Sequence, residues 1–234
     1  NGIDERDLLA RENLGDGLSK LIPAGLAARK HGANKYRIAE LEVLGFRLAN
    51  KVEITQVTSD TRESVLQNGQ VDAVFATYTI TDERKKLVSF SGPYYYTQQA
   101  ILVLADNDDI KSVDDLADKN VAVQSGSNGP AILEEFAPKA SQQEFKTDEE
   151  ARQALQQGRV DAYVIDNNMQ QSALVREPGK YKIAGKPFGS KEPYGIGLPL
   201  DSDGVAFVND FLKKIEDDDT WTELWQICIG DRTG

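Results

Sequence analysis

The chain has 234 residues, 40% of them hydrophobic, and a formal net charge of −11. This length suits one large domain or two small ones around a sizeable core. An acidic chain lacks the basic face that displaces counterions from phosphates, so the charge argues against nucleic acid as a partner. No apolar run approaches about 18 residues, so we expect no membrane span. The sequence begins Asn-Gly-Ile-Asp and contains no signal segment, so we expect a mature or trimmed sequence.

One cysteine and one histidine limit the chemistry that the chain can perform. Cys228 has no second cysteine for an internal disulfide, and His31 is the single histidine. A zinc site or a Cys/His nucleophile needs more of these residues, so we predict no catalytic residue, metal or cofactor. We expect Cys228 to be buried as a small hydrophobic residue and His31 to lie at the surface.

A repeated phrase divides the chain into two similar parts. Residues 66–73 read Leu-Gln-Asn-Gly-Gln-Val-Asp-Ala, and residues 155–162 read Leu-Gln-Gln-Gly-Arg-Val-Asp-Ala. The two copies lie 89 residues apart, which is longer than a solenoid repeat of about 20–50 residues. The spacing therefore favours two similar lobes.

Each copy of the repeat predicts a helix followed by a short strand. Capping boxes start the helices, with Asp60 and Glu63 in the first copy and Thr147 and Glu150 in the second. A glycine ends each helix, where a left-handed residue is favoured, and an apolar strand follows. These glycines and strands are Gly69 with 71–76, and Gly158 with 160–165.

Two apolar segments flank the second copy and are interpreted as paired hinge crossings. They are residues 99–104 and 195–200. We therefore predict a discontinuous lobe one, 1–102 and 195–234, and a lobe two of 103–194. A C-terminal helix should complete lobe one with Val205, Val208, Phe211, Leu212 and Ile215 at helical spacing. The predicted fold is α/β, with two lobes joined by a two-strand hinge.

Thr77 and Asp166 occupy equivalent positions in the two copies of the repeat. Thr77 lies five residues after Asp72, Asp166 lies five residues after Asp161, and each is at the carboxyl end of its predicted strand. Ligands bind at this edge of open α/β sheets. Duplication without a shared site is the alternative. If the two edges face one another, they form a cleft.

The residues near these strand ends suit a free amino acid, which carries a carboxylate and an ammonium group. Arg84 can grip a carboxylate, with Thr79 adding donors. A glycine-rich turn follows the predicted strand 121–123, and Pro130 then begins a helix. The backbone N–H groups at such a helix N-terminus can bind an anion. Arg62 beside Arg84 would need a counter-charge, which a second ligand carboxylate supplies.

These arginines also have plainer interpretations. Arg84 lies in the charged run 83–86, which can be a solvated surface. Arg62 can be a surface arginine that pairs with Asp60 or Glu63.

As a set, these motifs resemble the extracytoplasmic solute-binding proteins of polar amino-acid ABC importers, family 3, which have the periplasmic-binding-protein-like type II fold. The likeness runs from about residue 52 to the end. The matching segments are 62–73, Ala76-Thr77-Tyr78-Thr79-Ile80-Thr81-Asp82-Glu83-Arg84, Phe90-Ser91-Gly92-Pro93-Tyr94-Tyr95, Gln124-Ser125-Gly126-Ser127, 160–162, Asp166 and Tyr194-Gly195-Ile196.

The resemblance implies a role for each candidate residue. Arg84 and Thr79 would clamp the α-carboxylate, and Asp166 with the Thr77 carbonyl would bind the α-ammonium. Arg62 resembles an arginine that binds the side-chain carboxylate in members selective for glutamate or aspartate. The second-lobe contacts would be Gln124, Ser127 and Asn128.

The resemblance also implies a monomer that delivers glutamate or aspartate to a membrane permease. Its location would be extracytoplasmic, in the periplasm or lipid-anchored at the cell surface. The segment 36–43 departs from the family pattern, so no site residue is predicted before position 58. Three alternatives stay open: a glutamine, asparagine or broad polar amino-acid binder, a dehydratase-like enzyme on the same fold, and an extracellular sensor domain.

Overall fold

The computed structural model describes residues 55–226. The predictions for His31, for Cys228 and for the N-terminal part of lobe one lie outside this range. Within it, none of the helices has the length and apolar character needed to cross a membrane.

The described residues form seven helices and seven strands. The helices are α1 (Arg62–Gln67), α2 (Asp82–Lys85), α3 (Gly129–Phe136), α4 (Asp148–Gln156), α5 (Asn167–Arg176), α6 (Gly204–Asp217) and α7 (Thr220–Trp225), with a 3-10 helix at Val113–Leu116. The strands are β1 (Ser89–Phe90), β2 (Tyr95–Leu104), β3 (Asn120–Gln124), β4 (Ser141–Phe145), β5 (Ala162–Asp166), β6 (Tyr181–Tyr194) and β7 (Gly197–Leu198).

The larger sheet has five strands in the order β4-β3-β5-β2-β6. Strand β3 is parallel to both β4 and β5, whereas β2 is antiparallel to β5 and β6. Gln99 of β2 lies opposite Asp166 of β5, between two register shifts in its pairing with β6. The parallel strands end at the same edge of the sheet, so their last residues are neighbours.

Both faces of this sheet are buried, because side chains alternate along its central strands. One face packs with α4 and α5; its strand residues are Leu102, Ala122, Tyr163 and Ile165. The other face packs with α3 and the 3-10 helix; its strand residues are Ile101, Val103, Val121, Val123, Ala162 and Val164.

A smaller part of the molecule contains α1, α2 and the two-stranded sheet β1-β7. Its core is formed by Val57, Leu66, Val74, Ala76, Tyr78 and Val88. The backbone of residues 74–80 pairs with residues 193–197, through bridges from Val74 to Gly197 and from Thr79 to Tyr194. The segment that follows β6 therefore joins the two parts of the molecule.

One of the two predicted capping boxes is present in the structure, and the other is not. Thr147 and Glu150 form the predicted capping box at α4, and the hydroxyl of Thr81 caps α2 by accepting from the Arg84 amide. The box predicted for Asp60 and Glu63 is wrong. The N-cap of α1 is Thr61 and has no side-chain cap, because both carboxylates have partners elsewhere in the structure.

The strand predictions hold best inside the five-stranded sheet. Residues 99–104 form most of β2, and β5 begins two residues and ends one residue later than predicted. Residues 71–76 contain only the isolated bridge at Val74, and 195–200 contain only the two-residue β7. Gly69 and Gly158 have positive φ at their helix ends, as expected. The lobe boundaries at 102/103 and 194/195 stay predictions.

We expect Thr147→Ala to lower the free energy of unfolding by about 1 kcal/mol, because the amide of Glu150 loses its acceptor. Urea unfolding followed by circular dichroism measures this change. Thr147→Ser is the matched control and should unfold close to the parent, since it retains the hydroxyl. Equal midpoints for the Ala and Ser variants would contradict a capping role.

Candidate functional site

The carboxyl edge of the five-stranded sheet collects residues that are far apart in the chain. Strand β3 ends at Gln124 and β5 ends at Asp166, and the turn 125–128 follows β3 directly. The smaller part of the molecule contacts this turn through Asp60, Arg62 and Arg84. Thr77 and Asp166, which the sequence predicts to approach one cleft, both lie near this junction.

The guanidinium groups of Arg62 and Arg84 converge on one oxygen atom. Nη2 of each arginine donates to the carbonyl of Gly126 at 3.0 Å. The second terminal nitrogen of Arg62 donates to the carbonyl of Thr77 at 2.9 Å, and that of Arg84 to the carbonyl of Thr79 at 2.8 Å. Backbone carbonyls from both parts of the molecule therefore fix the two arginines in place.

Glu63 and Tyr78 surround the two arginines. The Glu63 carboxylate lies 3.5 Å from the Nε of Arg62 and 3.5 Å from the Nε of Arg84. The guanidinium carbon of Arg62 lies 4.1 Å above the ring centroid of Tyr78, a cation–π contact. Burial, followed by the charge of Arg84, lowers the pKa of Arg62 to about 10, so it remains a cation at neutral pH.

The turn after β3 fits against the smaller part so closely that it requires glycine. Gly126 has a φ of +68°, and a Cβ atom there would lie 2.6 Å from the Oδ1 of Asp60 and 2.8 Å from its backbone nitrogen. Next to it, the hydroxyl of Ser125 donates to the Oδ2 of Asp60 at 2.6 Å. The turn and α1 are therefore held in direct contact.

A second polar cluster surrounds Asp166. The amide Nε2 of Gln99 donates to the Oδ1 of Asp166 at 2.6 Å and to the Oε2 of Glu192 at 2.8 Å. The hydroxyl of Tyr194 donates to the other oxygen of Asp166 at 2.6 Å. Both carboxylates are buried, with Asp166 7% and Glu192 4% exposed. Two acidic side chains thus lie on either side of one amide group.

Burial is the main reason that the pKa of Asp166 is raised, to about 7. The negative charge of Glu192 raises it further, whereas the hydrogen bonds from Tyr194 and Gln99 lower it. The two clusters act on each other electrostatically, because the charge of Asp166 raises the pKa of Arg62 against the effect of burial. A group with positive charge would relieve the cost of ionising Asp166.

The remaining predicted residues organise the turn or join the two clusters. The hydroxyl of Ser127 donates to the carbonyl of Gln124 at 2.6 Å, and the Gln124 amide donates to the Lys146 carbonyl. The amide of Asn128 donates to Glu192 at 2.9 Å. The Thr77 carbonyl, predicted to face an ammonium group, instead accepts from Arg62.

The sequence assigned no role at the site to Gln99, Glu192 or the hydroxyl of Tyr194. Glu63 was assigned to a cap or to a pair with Arg62, and its contact with Arg84 was not predicted. Glu192 immediately precedes Pro193-Tyr194-Gly195, a segment adjoining one of the recognised motifs. Glu192 lies three residues before the apolar hinge segment 195–200, and that proximity was the available signal. No group of three or more metal-ligating side chains occurs among residues 55–226.

Comparison with known proteins identifies the family of this chain. The model of the bacterial extracellular solute-binding proteins, family 3, matches residues 38–230. The ABC transporter glutamine-binding protein GlnH of Bacillus subtilis is 39% identical over 76% of the chain. The glutamate-binding protein GluB of Corynebacterium glutamicum is 33% identical over 77% of the chain. The matches cover 65% and 63% of these relatives, less than two thirds of their length.

Solved structures agree with the family model. An ancestral arginine-binding protein bound to glutamine superimposes with a TM-score of 0.80 at 34% identity, covering 91% of this chain and 95% of that one. The fold is therefore the two-lobed type II fold that the motifs predict. The chain belongs to the bacterial extracellular solute-binding proteins, family 3.

Proposed function

We propose that this chain captures one free polar amino acid between its two lobes and delivers it to the membrane permease of an ABC importer. One observation carries the proposal: two buried arginines converge on a single oxygen atom, and the buried carboxylate of Asp166 lies within electrostatic range of Arg62. Cationic donors and an anion close together match the two ends of a zwitterion.

Arg84 is the proposed partner of the α-carboxylate. It is held by the Thr79 carbonyl and directs its other terminal nitrogen at the Gly126 carbonyl, a neutral acceptor. A carboxylate is a stronger acceptor than a neutral carbonyl and can take both terminal N–H groups of a guanidinium. An incoming amino acid would therefore compete with Gly126 for this donor.

Asp166 is the proposed partner of the α-ammonium. Its oxygens already accept from Gln99 and Tyr194, and each carboxylate oxygen has a further lone pair. An ammonium group would supply the positive charge that the buried carboxylate lacks. Because Arg84 and Asp166 lie on opposite lobes in this scheme, one ligand contacts both and favours the closed arrangement.

The charge of Glu63 helps to decide whether the side chain of the ligand is acidic or neutral. The prediction of an acidic ligand supposed that Arg62 and Arg84 need two carboxylates from the ligand. Glu63 lies 3.5 Å from both arginines and already supplies one negative charge. The α-carboxylate would supply the second, so a neutral side chain fits the charge balance. We infer that glutamine is the preferred ligand.

Glutamate or aspartate is the second candidate. The Arg62 guanidinium is preorganised by the Thr77 carbonyl and the Tyr78 ring, and it could bind a side-chain carboxylate. The glutamate-binding relative is compatible with this assignment. The two candidates differ in whether Glu63 remains paired with Arg62 when the ligand is bound.

The proposed role is non-catalytic, extracytoplasmic and monomeric, with lobe boundaries near 102 and 195. A dehydratase on this fold would use a poised acid or base in the cleft. Asp166 is the candidate acid, but its contacts with Gln99, Tyr194 and the proposed ammonium explain it without catalysis. Turnover of a cyclohexadienyl carboxylate by the purified protein would overturn this part of the proposal.

A thermal-shift screen against the twenty amino acids tests the function, because a ligand that binds the folded state alone raises its melting temperature. We expect the largest shift with glutamine. In Arg84→Ala, calorimetry should give an affinity for that ligand weaker by about 2 kcal/mol or more, since a ligand carboxylate loses its partner. Lys85→Ala, an exposed neighbour, is the matched control. Unchanged affinity in Arg84→Ala would remove the carboxylate site.

Asp166→Asn should abolish amino-acid binding and at the same time stabilise the unliganded protein. The pKa of Asp166 is raised on folding, so its ionisation costs stability. This cost is absent below about pH 4, where the carboxyl is neutral in both states, and is complete above about pH 7. We therefore expect a gain of the order of 2 kcal/mol at about pH 8, measured by urea unfolding, that disappears at about pH 4. A loss of stability at about pH 8 would contradict this cost.

Glu63→Gln separates the two ligand candidates. If Glu63 supplies the counter-charge, the variant should raise the affinity for glutamate relative to glutamine by about tenfold, equivalent to about 1.4 kcal/mol. Calorimetry with both amino acids on the parent and on Glu83→Gln, an exposed control, measures the ratio. An unchanged ratio, together with a selective loss of glutamate binding in Arg62→Ala, would support the acidic candidate instead.

A further inference from the structure

Glu192 belongs to the polar cluster around Asp166, but the proposed function gives it no role in binding the amino acid. It lies in β6, is 4% exposed, and accepts from Gln99 at 2.8 Å and from Asn128 at 2.9 Å. The same Gln99 nitrogen donates to Asp166 at 2.6 Å. The two carboxylates therefore lie within two hydrogen-bond lengths of one another, and no described lysine or arginine forms an ion pair with either one.

The bridging amide fixes this arrangement. A primary amide nitrogen has two N–H donors, and both of those on Gln99 are used, one for each carboxylate. Two buried carboxylates this close resist simultaneous ionisation, because like charges repel strongly in a medium of low dielectric constant. A proton or another cation must therefore accompany the pair.

We propose that Glu192 is a specificity-determining residue that forms, with Asp166 and the bridging Gln99, a carboxylate pair holding one proton until a ligand ammonium group replaces it. The proposal rests on the proposed function. Binding would then release the proton to the solvent, so the site would favour a ligand that brings its own positive charge. Glu192 acts on the ligand through Asp166 and through the electrostatic field that its carboxylate produces at the position of the ammonium group.

The other titratable groups near the pair remain in one state around neutral pH. The tyrosines are Tyr194 of β6, which donates to Asp166, and Tyr163 of β5; burial raises the pKa of each well above 10. Arg62 of α1, whose field reaches Asp166, remains a cation because its pKa is about 10. Asn168 of α5 and Thr97 of β2 pack beside them and do not titrate in this range. Among these described groups, Asp166 is thus the one whose pKa, about 7, lies near neutral pH.

Proton release predicts a definite pH dependence. The complex would bind fewer protons than the free protein, so affinity should rise with pH. With a pKa of about 7 for Asp166 in the free protein, the affinity for glutamine should increase about tenfold between about pH 6 and about pH 8. Calorimetry at about pH 7 in phosphate and in Tris, which differ in ionisation enthalpy, should give about half a proton released per glutamine bound.

Glu192→Gln should remove this linkage. Asp166 loses its like-charge neighbour and ionises more readily, so proton release should fall and the affinity change over the same pH range should shrink to less than about twofold. Glu192→Asp should retain the release because it retains the charge. Glu144→Gln, an exposed carboxylate of β4, and His31→Asn, which removes the single histidine, are the controls and should behave as the parent does.

The outcomes separate this inference from the proposed function. If the parent binds no amino acid in the screen, both are overturned. If it binds glutamine or glutamate without releasing protons, the inference is wrong and the proposed function stands. If Glu192→Gln weakens binding equally at every pH and retains the proton release, Glu192 only positions Asn128, and the inference is again wrong. The measurement on the parent decides the matter even if the variants do not fold.

Discussion

Two guanidinium groups, those of Arg62 and Arg84, donate to the single carbonyl oxygen of Gly126 at 3.0 Å each. Burying two like charges side by side is costly, and the structure offsets that cost with Glu63, the Tyr78 ring and the carbonyls of Thr77 and Thr79. This interaction joins the turn after β3 to the smaller part of the molecule. The approach of the two lobes depends on it.

The carboxylate side of the junction is organised differently. Asp166 and Glu192 have neutral donors from Gln99, Tyr194 and Asn128, which satisfy hydrogen bonds without supplying a positive charge. The arginines therefore have Glu63 as a local counter-ion, whereas neither carboxylate forms an ion pair with a residue of 55–226. In the proposed function, the carboxylates accept the ammonium group of the ligand, and the ligand carboxylate replaces the Gly126 carbonyl as an acceptor from Arg84.

The fold brings these residues together through strand direction. Parallel strands β3 and β5 end at one edge, so Gln124 and Asp166 become neighbours although 42 positions separate them in the chain. Antiparallel β2 then places Gln99 opposite Asp166, and β6 brings Glu192 to the same amide. The pairing of residues 74–80 with 193–197 holds the smaller part against this edge. The site is a consequence of sheet topology.

The sequence by itself determined the repeat, the α/β class, the strand end at Asp166 and the cap at Thr147, because these follow from local spacing, helix-capping chemistry and apolar runs. It also selected Arg62 and Arg84 as site residues through their motifs. Only the tertiary structure decided that Glu63 contacts both arginines and does not cap α1, that Gly126 must be glycine, and that Glu192 lies beside Asp166. These contacts join residues from separate elements, and no local pattern encodes the distance between two side chains that meet only when the sheet has formed.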